Sequence, residues 1–260
     1  MDEITYETFY AGAKPSDAAM ALDRLLANEN PDMTYSQMMR YRLAGKASNE
    51  CKDIYFLASH LDTQVARLWH GWGKHPNAIG NFGNFRTAES WQRRGIGRHL
   101  LNLWYENLQQ HQADGPLALF CTSSKPHLVK LYGEYGFRPA LVGSEGGPLY
   151  CPLQNSPATF QEFCQQYYAP DDRLVIRPAS IGWRHEIDCL LNFALLDAGE
   201  SFAFPEMPKL EAALLNPSAG LAELIFTSKN HCIGWAFTPS GGERMLQLHP
   251  SFRQQKIEEN

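Results

Sequence analysis

The stretch from Ala78 to His111 most narrows the folds open to this 260-residue chain. A β-rich run with several glycines, Ala78–Ala88, leads into Gln92-Arg93-Arg94-Gly95-Ile96-Gly97-Arg98. An amphipathic helix follows over Gly95–His111, with Ile96, Leu100, Leu103, Trp104 and Leu108 on its inward face. Two glycines delivered into a helix N-terminus present backbone N–H groups that lack intrahelical partners, at the positive end of the helix dipole. Glycine lets a phosphate approach the backbone closely, and the arginines add charge. A diphosphate suits such a loop. A Walker A loop is excluded because no Gly-Lys-Ser/Thr follows, and the third glycine of the Rossmann spacing is missing.

The elements around this junction imply an α/β chain. Upstream, Ile4–Tyr10 reads as a strand, and a helix opens at Pro15-Ser16-Asp17 and runs to Asn28. A second helix starts at Thr34 and stops at Gly45. Asp53–His60 and Gln64–Trp72 are strands joined by a hairpin at Leu61-Asp62-Thr63. Downstream come a compact strand, Leu117–Thr122, a helix, Pro126–Tyr135, and two closing strands, Phe137–Val142 and Leu149–Leu153. Hairpins followed by a strand–helix–strand crossover imply a mixed sheet with helices on both faces.

A helix over Thr159–Tyr168 bridges to a second unit. That unit reads as strand Leu174–Ile176, helices Trp183–Ala198 and Pro208–Leu215, then strands Ala222–Thr227, Cys232–Thr238 and Met245–His249. The expected domains are therefore 1–155 and 173–260, with 156–172 as a linker. Both repeat the order strand, helix, helix and three strands. Ser90-Trp91-Gln92-Arg93-Arg94-Gly95-Ile96 aligns with Ser251-Phe252-Arg253-Gln254-Gln255-Lys256-Ile257, with Lys256 in place of the first glycine. The second unit reads as a partial, degenerate copy without a phosphate loop.

Composition excludes several functions. Net charge is −5, the pI is near 6.0, and no run of Lys or Arg exceeds two, so nucleic acid is not an expected partner. No apolar run approaches the ~20 residues of a spanning helix, and Met1-Asp2-Glu3 does not open a secretory signal. The six cysteines include no CxxC pair, so neither a metal site nor a disulfide framework is expected, and the expected location is cytoplasmic.

The segment Gln92-Arg93-Arg94-Gly95-Ile96-Gly97 resembles the Q/R-x-x-G-x-G/A acetyl-CoA signature of the GCN5-related N-acetyltransferase (GNAT) superfamily. Leu131-Tyr132-Gly133-Glu134-Tyr135-Gly136-Phe137 is similar to that family's later Tyr-x-x-x-Gly-Phe element. The resemblance covers roughly Ile4 to Leu153. It implies a GNAT-like acyltransferase fold, followed here by the truncated repeat, and acetyl-CoA as co-substrate. It implies that the backbone from Arg93 through Gly95, Ile96 and Gly97 to Arg98, entered at Gln92, holds the CoA diphosphate. It implies that the strand at Phe85 and Thr87 holds the pantetheine arm and acetyl carbonyl, and that Tyr132 reprotonates the leaving thiolate. Many relatives place an Asn seven residues before that tyrosine; here Lys125 stands there and could reach a phosphate. Many also carry a Glu on the strand before the signature, whereas Gly80-Asn81-Phe82-Gly83-Asn84 has no carboxylate. The base candidates are Glu89, His70 and His75. The implied activity is acetyl or other acyl transfer to a primary amine of a small molecule or peptide, and a homodimer is among the expected assemblies. The alternative is a CoA-binding module that senses or regulates with little catalysis.

Overall fold

The structure, a computed structural model, describes residues 3–12, 20, 34–61, 63–171, 173–199 and 207–255. The helix expected over Pro15–Asn28 and the last positions of the 251–257 alignment lie outside the described residues. The chain forms two compact units, Met1–Pro116 and Leu117–Asn260. This division differs from the limits at 155 and 173 suggested by motif.

In the first unit, β1 (Ile4–Tyr10), β2 (Cys51–His60), β3 (Thr63–Gly73) and β4 (Gly80–Thr87) pair antiparallel in that order. β2 and β3 are rich in aromatic and aliphatic side chains and are buried over most of their length. Helix α1 (Thr34–Leu43) ends before Gly45, whose φ of +71° suits a residue without Cβ. Met39 and Leu43 of α1 pack with Phe9, Tyr55, Leu57 and Trp69.

A buried ion pair ties α1 to this face. Arg42 Nε donates to Asp53 Oδ2 at 3.0 Å, and Arg42 Nη2 lies 2.7 Å from Asp53 Oδ1. Trp69 Nε1 donates to the same Oδ1 at 2.9 Å, and the guanidinium lies over the Trp69 ring. Gly71 leaves room for the pair: a Cβ there would lie 2.6 Å from Asp53 Oδ1 and 2.8 Å from Lys52 O.

Helix α2 (Ile96–Gln110) buries Ile96, Leu100, Leu101, Trp104, Asn107 and Leu108. Leu103, expected inward, is only half-buried, and Leu101 takes its place. Trp104 packs edge-on against Phe82 and against His70. His70 is fully buried among Phe56, Trp72 and Trp104, and this burial lowers its pKa to about 3. The ring stays neutral in the core.

In the second unit, β5 (Ala118–Ser123) pairs antiparallel with β7 (Gly147–Pro152), and β7 with β6 (Arg138–Pro139). Only two residues of the strand expected over Phe137–Val142 pair, because the chain turns away at Leu141–Gly143. Helix α3 (Pro126–Gly133) starts with proline in its first turn. Helix α4 (Phe160–Tyr167) opens on a capping box, Thr159 with Glu162. Phe160 and Phe163 pack on Phe120 of β5 and Tyr150 of β7, and Phe193 joins them. Tyr167 stacks on His231, and its hydroxyl accepts from the Cys232 backbone N–H. Helix α4 therefore binds β5 and β7 to the C-terminal sheet. Residues 117–155 belong with that sheet for this reason.

The C-terminal sheet has the order β11 (Met245–Leu248), β10 (Cys232–Pro239), β9 (Gly220–Thr227), β8 (Leu174–Pro178), all antiparallel. The helix expected over Trp183–Ala198 is broken into a 3₁₀ turn (Ile181–Trp183), a π segment (Glu186–Leu191) and α5 (Asn192–Asp197). Arg184, between the first two, is held by Asp188 at 3.0 Å and by Glu211 of α6 (Met207–Leu215), to which its Nε donates at 2.7 Å. Both four-stranded meanders run in sequence order. Each is followed by a 3₁₀ turn ending in an aromatic, Trp91 in one and Phe252 in the other. Cys51, Cys121, Cys151, Cys164 and Cys232 are buried free thiols. Among the described residues, no helix is long and apolar enough to cross a membrane.

Gly71→Ala should force the Arg42–Asp53 pair apart. Uncoupling a buried pair costs about 3–5 kcal/mol, so a loss of about 3 kcal/mol is expected in urea unfolding; an unchanged midpoint would mean the pair holds nothing. His70 predicts a pH effect. Below its ordinary pKa of about 6.5 the unfolded chain takes up a proton that the folded core refuses down to about 3. Stability is thus complete above about 6.5 and falls by about 1.4 kcal/mol per pH unit toward 3. His70→Phe should shrink the difference in melting temperature between pH 7 and pH 5.

Candidate functional site

One extra residue in β4 shapes the end of that strand. Trp69 pairs with Gly83 and Arg67 with Arg86, so two steps along β3 face three along β4. The bulge falls at Asn84, whose φ is +51°, and Arg67 Nε donates to its Oδ1 at 2.7 Å. Bulges bend a strand and re-aim its side chains. Phe85 and Thr87, beyond the bulge, are both half-buried.

The glycine turn meets these two residues. A Cβ on Gly97 would lie 3.0 Å from Phe85 Cζ and 3.4 Å from Thr87 Oγ1. The missing side chain of Gly97 lets the first turn of α2 come this near the strand. Gly95 is required for a different reason: its surroundings are open, but it is the N-cap of α2 with φ +81°. No side chain caps the helix there. Arg93 is also left-handed, at φ +60°. The Gln92 side-chain amide donates to Thr87 O at 3.1 Å, closing the loop onto the strand. Arg93, Arg94 and Arg98 are exposed, whereas Ile96 is buried and offers the loop only its backbone. Arg94 lies over the Trp91 ring at 4.6 Å, and that ring packs against His60. Thus Phe85, Thr87, Gln92 and Gly97 come together, and the loop presents donors and positive charge to an anion.

Glu89 is exposed at the start of the 3₁₀ turn and lines a small cleft with Gln64, Arg67 and Arg86. His70 is withdrawn from the base candidates by its burial. His75 is half-buried, with Nδ1 3.3 Å from Pro76 O.

Tyr132 and Lys125 belong to the second unit. Tyr132 is buried on α3 beside Phe137, and burial pushes its phenol well above the usual value. Lys125 is the exposed N-cap residue of α3. Among the described residues, no cluster of three or more His, Cys, Asp and Glu could hold a metal ion.

Sequence reading missed Arg67, which holds the bulge through Asn84. Arg67 sits in a strand buried on both faces and is 4% exposed. A lone arginine at an inward position was the available signal.

Residues 71–146 match the family described as acetyltransferase (GNAT) domain. A search of the curated proteins finds no match to the chain. Among solved structures, the chain is similar to Escherichia coli ElaA at 18% identity and TM-score 0.42, over 57% of this chain and 99% of that one. It is similar to an acyl-CoA N-acyltransferase from Pseudomonas aeruginosa at 15% identity and TM-score 0.41, over 57% and 99%. It is also similar to the PaiA N-acetyltransferase of Thermoplasma acidophilum, in complex with coenzyme A, at 14% identity and TM-score 0.38, over 57% and 99%. The bulged strand, the glycine turn and α2 all fall inside residues 71–146, the stretch of this chain that is similar to the acetyltransferase (GNAT) domain.

Proposed function

We propose that the chain transfers an acetyl or other acyl group from coenzyme A to a primary amine of a small molecule or peptide, in one direct step. The observation that carries this reading is the contact between the glycine turn and the bulged strand, Gly97 against Phe85 and Thr87. An uncapped helix start with two left-handed residues and three exposed arginines fits a diphosphate. The adjoining strand end fits an extended arm. Lys125 is proposed as a further phosphate contact.

Acetyl-CoA, when bound, supplies a thioester whose C–S bond breaks as the amine nitrogen forms the new C–N bond. Glu89, exposed and beside the strand end, takes the proton released by the amine. Tyr132 gives its phenolic proton to the departing sulfur. A phenol, with an ordinary pKa of about 10, holds that proton at neutral pH. The C-terminal sheet is read as a partial copy of the first meander, supported by the shared strand order and lacking the glycine that Lys256 replaces. A cytoplasmic setting accords with the buried free thiols.

Gly97→Val should weaken CoA binding by tenfold or more in calorimetry while circular dichroism stays unchanged. Equal affinity in the folded variant would remove the loop from the site. Tyr132→Phe should lower kcat by roughly 10²–10⁴-fold with acetyl-CoA affinity nearly intact. Full activity would place the acid elsewhere. A wild-type protein that binds CoA but releases no thiol with a broad amine panel would instead be the sensing module.

A further inference from the structure

We infer that Gly83 is a specificity-determining residue of the transfer: the acceptor amine reaches the thioester over its bare Cα, from the face of the sheet on which α1 packs. This rests on the acyl-transfer reading above and adds to it the side of attack.

Gly83 sits inside β4, opposite Trp69 of β3. Other glycines of this region answer to the chain itself. Gly71 makes room for the Arg42–Asp53 pair, and Gly97 for Phe85 and Thr87. A Cβ on Gly83 would meet nothing within 4 Å, and its φ is not left-handed. The bulge is carried by Asn84 instead. Glycine within a strand weakens it, and one that serves neither a bend nor a contact marks the close approach of something from outside.

The open side is defined by its neighbours. Phe82 packs on Trp104 of α2, so Gly83, the next residue, faces the other way. Trp69, its cross-strand partner, lies with Met39 and Leu43 of α1. That cluster draws on β1, β2 and β3 and on no residue of β4. Cover by α1 thus stops one strand short of Gly83, which is half-buried.

The CoA arm between diphosphate and sulfur has about the length of four residues of extended chain, roughly 13 Å. Thr87, beside the glycine turn, is the same four residues from Gly83. Laid along β4 from that turn, the arm ends at the bulge, next to Gly83. A carbonyl oxygen accepts best from donors near its own plane, and strand N–H groups point within the plane of the sheet. The thioester then lies close to that plane, and a nucleophile adds from above or below it. On the α2 side the approach is closed, since Phe82 is 3% exposed and Trp104 is fully buried. Over Gly83 it is open. A side chain there would stand where the amine nitrogen forms its bond to the carbonyl carbon. Glu89 lies past the opposite end of β4, so the amine's proton reaches it through water on this face.

The test replaces the amine by a nucleophile built into the full chain. Gly83→Cys places a thiol in the open space without a clash. With saturating acetyl-CoA the introduced thiol loses its proton, its sulfur bonds to the acetyl carbon, and CoA leaves as the thiol carrying that proton. Intact mass and peptide mapping read the acetyl group. Leu61→Cys, at a hairpin tip that is 80% exposed, gives the rate without placement. Placement should make Gly83→Cys react about a hundredfold faster or more, and excess desulfo-CoA should stop the reaction. Gly83→Val should keep its acetyl-CoA affinity within about twofold in calorimetry, because the space admits the amine and not the arm. Acetylation no faster than in Leu61→Cys would overturn the inference. So would loss of acetyl-CoA affinity in a folded Gly83→Val. Either result, with acetyl-CoA bound by the wild type, leaves the acyl-transfer reading standing. A wild type that binds no acetyl-CoA would fell that reading and this inference with it.

Discussion

The extra residue in β4 sets the geometry of everything near the end of that strand. Without it, Leu68 would face a single partner, and Phe85 and Thr87 would project to the faces opposite those they occupy, since a one-residue slip reverses side-chain direction. The first turn of α2 could then not settle on Phe85 and Thr87 as closely as Gly97 allows. Nor could Arg67 reach Asn84. The cost is a non-glycine residue in the left-handed region, which asparagine tolerates better than most. The Arg67 bond to its side chain helps to hold it there.

Much of this was legible in the sequence, and for physical reasons. The glycines, the arginines and the period of α2 are local signals, and local signals survive in a linear reading. Strand identities followed from β-rich runs and turn residues. Pairing registers did not, because a bulge is a relation between two strands. The Arg42–Asp53 pair was invisible for a similar reason: each residue alone looks like a solvated charge, and only their convergence beside Gly71 explains their burial. His70 looked like a candidate base until its aromatic surroundings were known. Arg67 belonged to no motif at all.

The second unit shows where segment composition and packing part ways. Residues 156–172 read as a linker, since Asn155–Pro157 has turn chemistry and the helix after it is short. Its aromatics make it a core element. Phe160 and Phe163 engage Phe120 and Tyr150 while Tyr167 engages His231 and Cys232. The broken helix before α5 was equally illegible: its apolar spacing suits one helix, and the π segment beside the Arg184–Glu211 contact appears only in three dimensions.

The buried thiols carry a consequence for how this protein behaves toward electrophiles. Burial pushes Cys151 up to about 12 and raises Cys121, Cys164 and Cys232 as well. The thiolate is the reactive form, so these sulfurs are silent toward disulfide dyes and alkylating agents while the chain is folded. Their labelling becomes a clock for opening of the fold. It also leaves the sulfur signal of a turnover assay to the small molecule, with little background from these four side chains.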